Sequence, residues 1–202
     1  MQRIFRFAIL FTAHFLPFNV SAQNISDLDA FEKAIKPGTV LTYNVTMGEK
    51  KYQLIATLQK TGNEISFDWE TTAPAGKKGN IAMNANAVSK ADALYTDFSG
   101  GETKLDKETC FFISSKVFNE IASTAQANLK LSGATDTVTV LSNTISEFNF
   151  SVNDNLVAVP GWELEGGSEI KYTIDVLESV KFPLIVRMDL GWTIQLASIK
   201  NP

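Results

Sequence analysis

Glu64-Ile65-Ser66-Phe67-Asp68-Trp69-Glu70 places Ile65, Phe67 and Trp69 at every second position, with Ser66 and Asp68 between them. Alternation of this kind puts the three apolar side chains on one face of an extended segment and the polar ones on the other. The segment therefore reads as a half-buried antiparallel strand. The same period runs back toward the N-terminus. Tyr52, Leu54, Ala56 and Leu58 alternate with Gln53, Ile55 and Thr57, and Leu41, Tyr43, Val45 and Met47 alternate with Thr42, Asn44 and Thr46. Gly48-Glu49 and Thr61-Gly62-Asn63 separate these runs as turns, which predicts a three-stranded meander.

Outward from the meander the pattern continues with interruptions. Ser26 caps a short helix with Leu28, Phe31 and Ile35 on one face, which Pro37-Gly38 ends. Thr71 to Asn80, holding Pro74, Gly76 and Gly79, reads as a loop, Ile81 to Val88 as a strand, Ser89 to Leu94 as a helical turn and Cys110 to Ile113 as a strand. Ser115 to about Gln126 is the one substantial helix, because Val117, Phe118, Ile121, Ala122 and Ala125 recur at helical spacing. Strand signals resume at Val138 and Val140, at Phe148, Phe150 and Val152, and from Leu156 to a turn at Pro160-Gly161. They close with Ile170 to Val176, Leu184 to Leu190 and Trp192 to Leu196. The fold class is mainly β, a β-rich α+β domain. A curved antiparallel sheet or open barrel of about nine or ten strands with one amphipathic helix is the first architecture, and a two-sheet β-sandwich the alternative.

Residues 1–22 read as a secretory signal peptide and 23–202 as a single domain. Arg3 and Arg6 precede an apolar run from Phe7 to Phe18, and Val20-Ser21-Ala22 has the small side chains of a cleavage site. The run is shorter than the roughly 20 residues a spanning helix needs, and Gln23 is not the cysteine that lipid attachment requires. The expected location is the periplasm or the extracellular medium, with nothing left in a membrane. Cleavage removes Arg3 and Arg6 and no acid, so the charge moves from −4 to −6. An acidic balance argues against nucleic acid as a partner. The only histidine, His14, leaves with the signal. The mature chain then has no Ser-His-Asp or Cys-His unit and no histidine-ligated metal. Sequons at Asn24, Asn44 and Asn149 matter only in a eukaryotic secretory pathway.

The remaining chemistry is thin. Ser114 and Ser115 before Lys116 read as a helix start with a serine cap. Cys110, ahead of Phe111-Phe112-Ile113, reads as a small buried hydrophobe. Asn153-Asp154-Asn155 reads as a turn, without the spaced acids of a calcium loop. Glu163 and Glu165 flank Leu164 and share one face of an extended segment, the one arrangement that keeps a carboxylate-pair hydrolase open. Catalytic residues, metal ligands and cofactors are otherwise read as none.

Lys36-Pro37-Gly38-Thr39-Val40-Leu41-Thr42-Tyr43, between a signal peptide and a β meander, resembles the opening of uncharacterised exported β-rich domains of Bacteroidetes-type bacteria. The architecture is also similar to the half-barrel of periplasmic lipoprotein carriers. That second resemblance implies a concave apolar face that holds acyl chains, with no binding residue transferred.

A curved sheet whose concavity the helix leaves open would line an apolar pocket with its inward aromatics, here Tyr43, Phe67, Trp69, Phe150, Tyr172 and Trp192. The leading expectation is an exported noncatalytic protein that binds an apolar or amphiphilic small molecule such as a lipid. The alternative is a cell-surface module for glycan or protein recognition, presenting Trp162 in the turn at Pro160-Gly161.

Overall fold

The computed structural model describes residues 22–73, 76–131, 134–141, 145–167 and 171–202. Of the expected signal peptide only Ala22 falls among them, and Ile170 also lies outside. The fold is mainly β. Helix α1 (Ala22–Ala34) leads into β1 (Val40–Met47), β2 (Lys50–Lys60), β3 (Ile65–Thr71) and β4 (Lys78–Met83). Next come α2 (Ala85–Lys90), β5 (Ala93–Leu94), β6 (Gly101–Leu105) and α3 (Ser115–Thr124). The remainder is strand: β7 (Gln126–Leu131), β8 (Ala134–Val140), β9 (Ser146–Val152), β10 (Asn155–Gly166), β11 (Tyr172–Leu177), β12 (Ile185–Asp189) and β13 (Thr193–Lys200). No helix of the described residues is long and apolar enough to cross a membrane.

The meander forms as the alternation requires. β1 and β2 pair antiparallel from Val40↔Thr57 to Met47↔Lys50 around a Gly48-Glu49 turn, and β3 pairs with β2 on one side and β4 on the other. The sheet then runs β5-β7-β8-β10-β11-β12-β13-β1-β2-β3-β4-β6. β9 lies off this path. It pairs antiparallel with β10 and parallel with β13, which closes β9, β10, β11, β12 and β13 into a small barrel. Closure gives each of these strands a partner on both sides. Two arms extend from it, one ending at β6 and the other at β5. The architecture is therefore one continuous curved sheet with a closed barrel in its middle, and the sandwich alternative does not apply.

The thirteen strands among the described residues exceed the nine or ten expected: β5 and β6 are too short or too polar to alternate visibly, and β7, whose Ala127, Leu129 and Leu131 do alternate, lies in the stretch behind the helix where no strand is expected. Other boundaries also move. β4 begins at Lys78, inside the expected loop. The expected strand from Ile81 to Val88 breaks at Asn84, whose side chain accepts from Ala87 N at 2.9 Å and caps α2. Ser26 lies within α1 instead of capping it. Ser114 does cap α3, but that helix ends at Ala125 in the left-handed conformation, so Ala122 and Ala125 are exposed.

β10 corrects the largest expectation. It runs twelve residues without the turn at Pro160-Gly161, its first half paired with β9 and its second with β11. Gly161 is needed at the changeover, since a Cβ there would stand 2.3 Å from Val176 O and 2.8 Å from the Phe148 ring. Asn153-Asp154 makes the two-residue β9–β10 turn, both residues at positive φ as a type I′ hairpin turn demands.

The core has two aromatic centres. In one, Phe31 of α1 meets Phe150 of β9 edge-on at 6.1 Å. In the other, Cys110 to Ile113 does not form a strand. It enters the concave side of the arm as an irregular segment, and Phe111 stacks on Tyr43 at 4.5 Å and packs against Phe67 at 5.2 Å and Phe98 at 5.5 Å. Main-chain bonds from Ile113 N to Pro183 O and from Ile185 N to Phe111 O tie the segment to the approach to β12. It is this segment, and not α3, that fills the concavity; α3 lies on β7 and α2.

Candidate functional site

Where the Phe111 segment stops, the concave face opens into a cleft of about 350 Å³. Its wall is a row of side chains set by register. Ile194 of β13 stands opposite Val45 of β1, which stands opposite Tyr52 of β2. Leu54, two residues further along β2, continues the same face. Phe98, from the loop before β6, and Trp192, just before β13, line the cleft from the sides, and Met47 reaches its mouth. Trp192 and Phe98 are half-buried, while Val45, Leu54 and Ile194 are buried. The mouth also carries Lys50, Lys77, Asp97, Thr71 and Thr96. Apolar walls beneath a polar rim suit a ligand that buries a hydrocarbon body and keeps a polar end in water.

The six aromatic candidates do not converge on this cleft. Trp192 lines it. Tyr43 and Phe67 pack around Phe111, and Trp69 meets Phe98 edge-on at 5.1 Å. Tyr43 donates to Ile185 O at 3.0 Å, and complete burial holds its phenol well above its usual range. Trp69 lies across Gly79, where a Cβ would come within 2.9 Å of the indole nitrogen. Phe150 belongs to the centre beneath α1. Tyr172, at the far end of β11, covers Gly166 with its ring, and burial, with Asp136 nearby, pushes its phenol up to about 12. Trp162 stands mid-strand in β10, half-buried and tilted against Phe118 of α3 at 5.1 Å. The loop display on which glycan or protein recognition was based is therefore not its setting.

A second depression, about 580 Å³, lies on the outer face of β2, β3 and β4. Asp68 in its lining is already engaged, accepting from Gln59 at 2.8 Å on one oxygen and from the neighbouring Asn80 at 2.9 Å on the other. It is a more open trough, whose apolar lining comes from Ile55 and from Trp69 beside Gly79 and whose remaining side chains are polar or charged.

The carboxylates are placed as follows. Glu163 and Glu165 do share a face of β10, but Glu165 takes Lys171 at 2.7 Å, and Glu163 stands opposite Asp175 of β11. Asp175 is buried with Oδ1 unpartnered among the described residues. Cys110 is buried, and burial raises its thiol far above the range in which a thiolate forms. Among the described residues no group of three or more His, Cys, Asp or Glu is placed to hold a metal ion.

Sequence reading missed Val45, Tyr52, Leu54, Ile194 and Phe98 as cleft residues. The first four were legible as inward strand positions, and only the pairing register gathers them into one row. No family model matches the chain, and comparisons with curated proteins and with solved structures also found no match.

Proposed function

We propose that the chain is an exported noncatalytic protein that holds an apolar or amphiphilic small molecule in the cleft between β13, β1, β2 and the Phe98 loop. One observation carries the reading: a cleft of about 350 Å³ walled by Val45, Leu54, Phe98, Trp192 and Ile194, whose charged lining residues, Lys50, Lys77 and Asp97, are all exposed. That volume falls in the range of about 300–1,000 Å³ typical of small-molecule sites. The aromatic centre around Phe111 closes the inner end of the concavity, so a ligand enters from the Lys50 and Lys77 side and rests on Tyr52, Leu54 and Trp192. The signal-like pattern from Met1 to Ala22 supports export to the periplasm or the medium.

Native mass spectrometry of the purified protein, with organic extraction of what accompanies it, tests the reading alongside fluorescence titration with the neutral probe N-phenyl-1-naphthylamine. A one-to-one adduct or saturable probe uptake is expected. Trp192→Arg should abolish it, with the circular dichroism spectrum unchanged because Trp192 is only half-buried. A folded protein that carries nothing and takes up no probe would remove this function.

A further inference from the structure

We propose that the occupant of this cleft is a single-chain amphiphile with an anionic head group, and that Lys50 and Lys77 hold the head at the mouth. The inference rests on the reading of the cleft as a binding site and specifies its ligand class. Lys50 opens β2 directly after the Gly48-Glu49 turn, and Lys77 stands just before β4, so two separate parts of the arm bring cations to the lining of one cleft. Both are exposed, and among the described residues neither forms an ion pair, so their ammonium groups are available to a ligand. Among the described residues Asp97 is the one acid on the lining.

Two cations against one carboxylate make the mouth locally positive in a chain whose net charge is −4. Lysine suits this position, because its apolar stem lies along a hydrophobic wall while its ammonium stays in water and meets an anion. Size selects between the two kinds of anionic amphiphile. A volume of about 350 Å³ is near the lower end of small-molecule sites, which matches one acyl chain better than the pair carried by a phospholipid. Carboxylate, sulfate and phosphate-monoester heads share the required chemistry.

Calorimetric titration with dodecanoate, dodecanol and dodecylammonium, the two ions below their micelle concentrations and the alcohol below its solubility limit, separates the possibilities. Exposed charge pairs are individually weak, so the native protein should bind dodecanoate about three- to tenfold more tightly than dodecanol, with dodecylammonium weakest. The preference should shrink with added salt and grow in Asp97→Asn. In Lys50→Gln/Lys77→Gln it should vanish while dodecanol binding persists, and in Lys50→Glu/Lys77→Glu it should turn toward dodecylammonium. Equal affinity of the native protein for all three chains overturns the head-group inference and leaves the cleft as an apolar site. Binding of none of them removes the cleft reading as well. A one-to-one complex with phosphatidic acid drawn from vesicles overturns the single-chain limit.

Discussion

At Asp175 three neighbouring strands bring three charges into one row, Glu163 of β10, Asp175 of β11 and Arg187 of β12. Burial disfavours the ionised carboxylate, Glu163 adds a like charge, and Arg187 opposes both without cancelling them. The carboxyl is pushed up to about 6 from an ordinary value of 3.8. Because the folded state holds this proton more tightly than the unfolded chain does, its contribution to stability is fully present below about pH 4. It is lost as pH rises through about 6. Asp175→Asn removes the titration while keeping the shape. The variant should therefore match the native protein near pH 4 and exceed it by about 1–2 kcal/mol at pH 7.5, once solvent screening is allowed for. Urea unfolding of both proteins at the two pH values measures this. A difference that does not change with pH would mean that Arg187 neutralises the carboxylate.

Among the elements, the segment from Cys110 to Ile113 shows most clearly what a one-dimensional pattern omits. Its apolar run announces burial, but a short buried run does not report backbone conformation. The segment places Phe111 at φ +62°, a region a bulky residue rarely adopts. The ring is held there by Tyr43, Phe67 and Phe98, so packing outweighs the local strain. Removing the ring should cost about 3–5 kcal/mol, and the backbone then determines an ordering. Alanine keeps the strain while glycine relieves it, so Phe111→Gly should be at least as stable as Phe111→Ala, the reverse of their order at a φ that alanine favours. Urea midpoints of the two variants decide it, and a clearly more stable alanine variant would show that the strain is absent. Elements with a strong period were legible from the chain, except β7, whose short alternation follows α3 without a break. The meander, the Ser114 cap of α3 and the Asn153-Asp154 turn all stand where alternation, capping and turn chemistry put them. Elements governed by competition were not, as at Asn84, where a side-chain bond to Ala87 N ends a strand pattern and starts α2.

At the scale of the whole molecule, what escaped the sequence is closure. Local period distinguishes inward from outward on each strand, yet it cannot say that β9 will lie parallel to β13 through Ser198↔Ser151 and Ile199↔Val152. The same limit hid the cleft, since Ile194, Val45 and Tyr52 become one wall only through cross-strand register, and Phe98 comes from a loop with no period at all. Closure also divides the molecule mechanically. Strands β9 to β13 each have partners on both sides, so no one of them opens without breaking two ladders. β6 ends its arm with a single strand partner, β4, and its outer positions carry Glu102 and Lys104, paired with each other at 3.2 Å. Charges on a terminal strand discourage further pairing and leave that edge in water. Free energies of local opening rise with buried contacts and fall with exposed ladder bonds. Hydrogen exchange followed by mass spectrometry should accordingly find the slowest amides in β11, β12 and β13 and much faster exchange in β6, which opens while the barrel stays shut. Equal protection of β6 and β12 would mean that arm and barrel unfold as one unit. A ligand in the cleft should then narrow the gap from the arm side, slowing β1 and β2 more than β6, because β1 and β2 supply the wall it rests on.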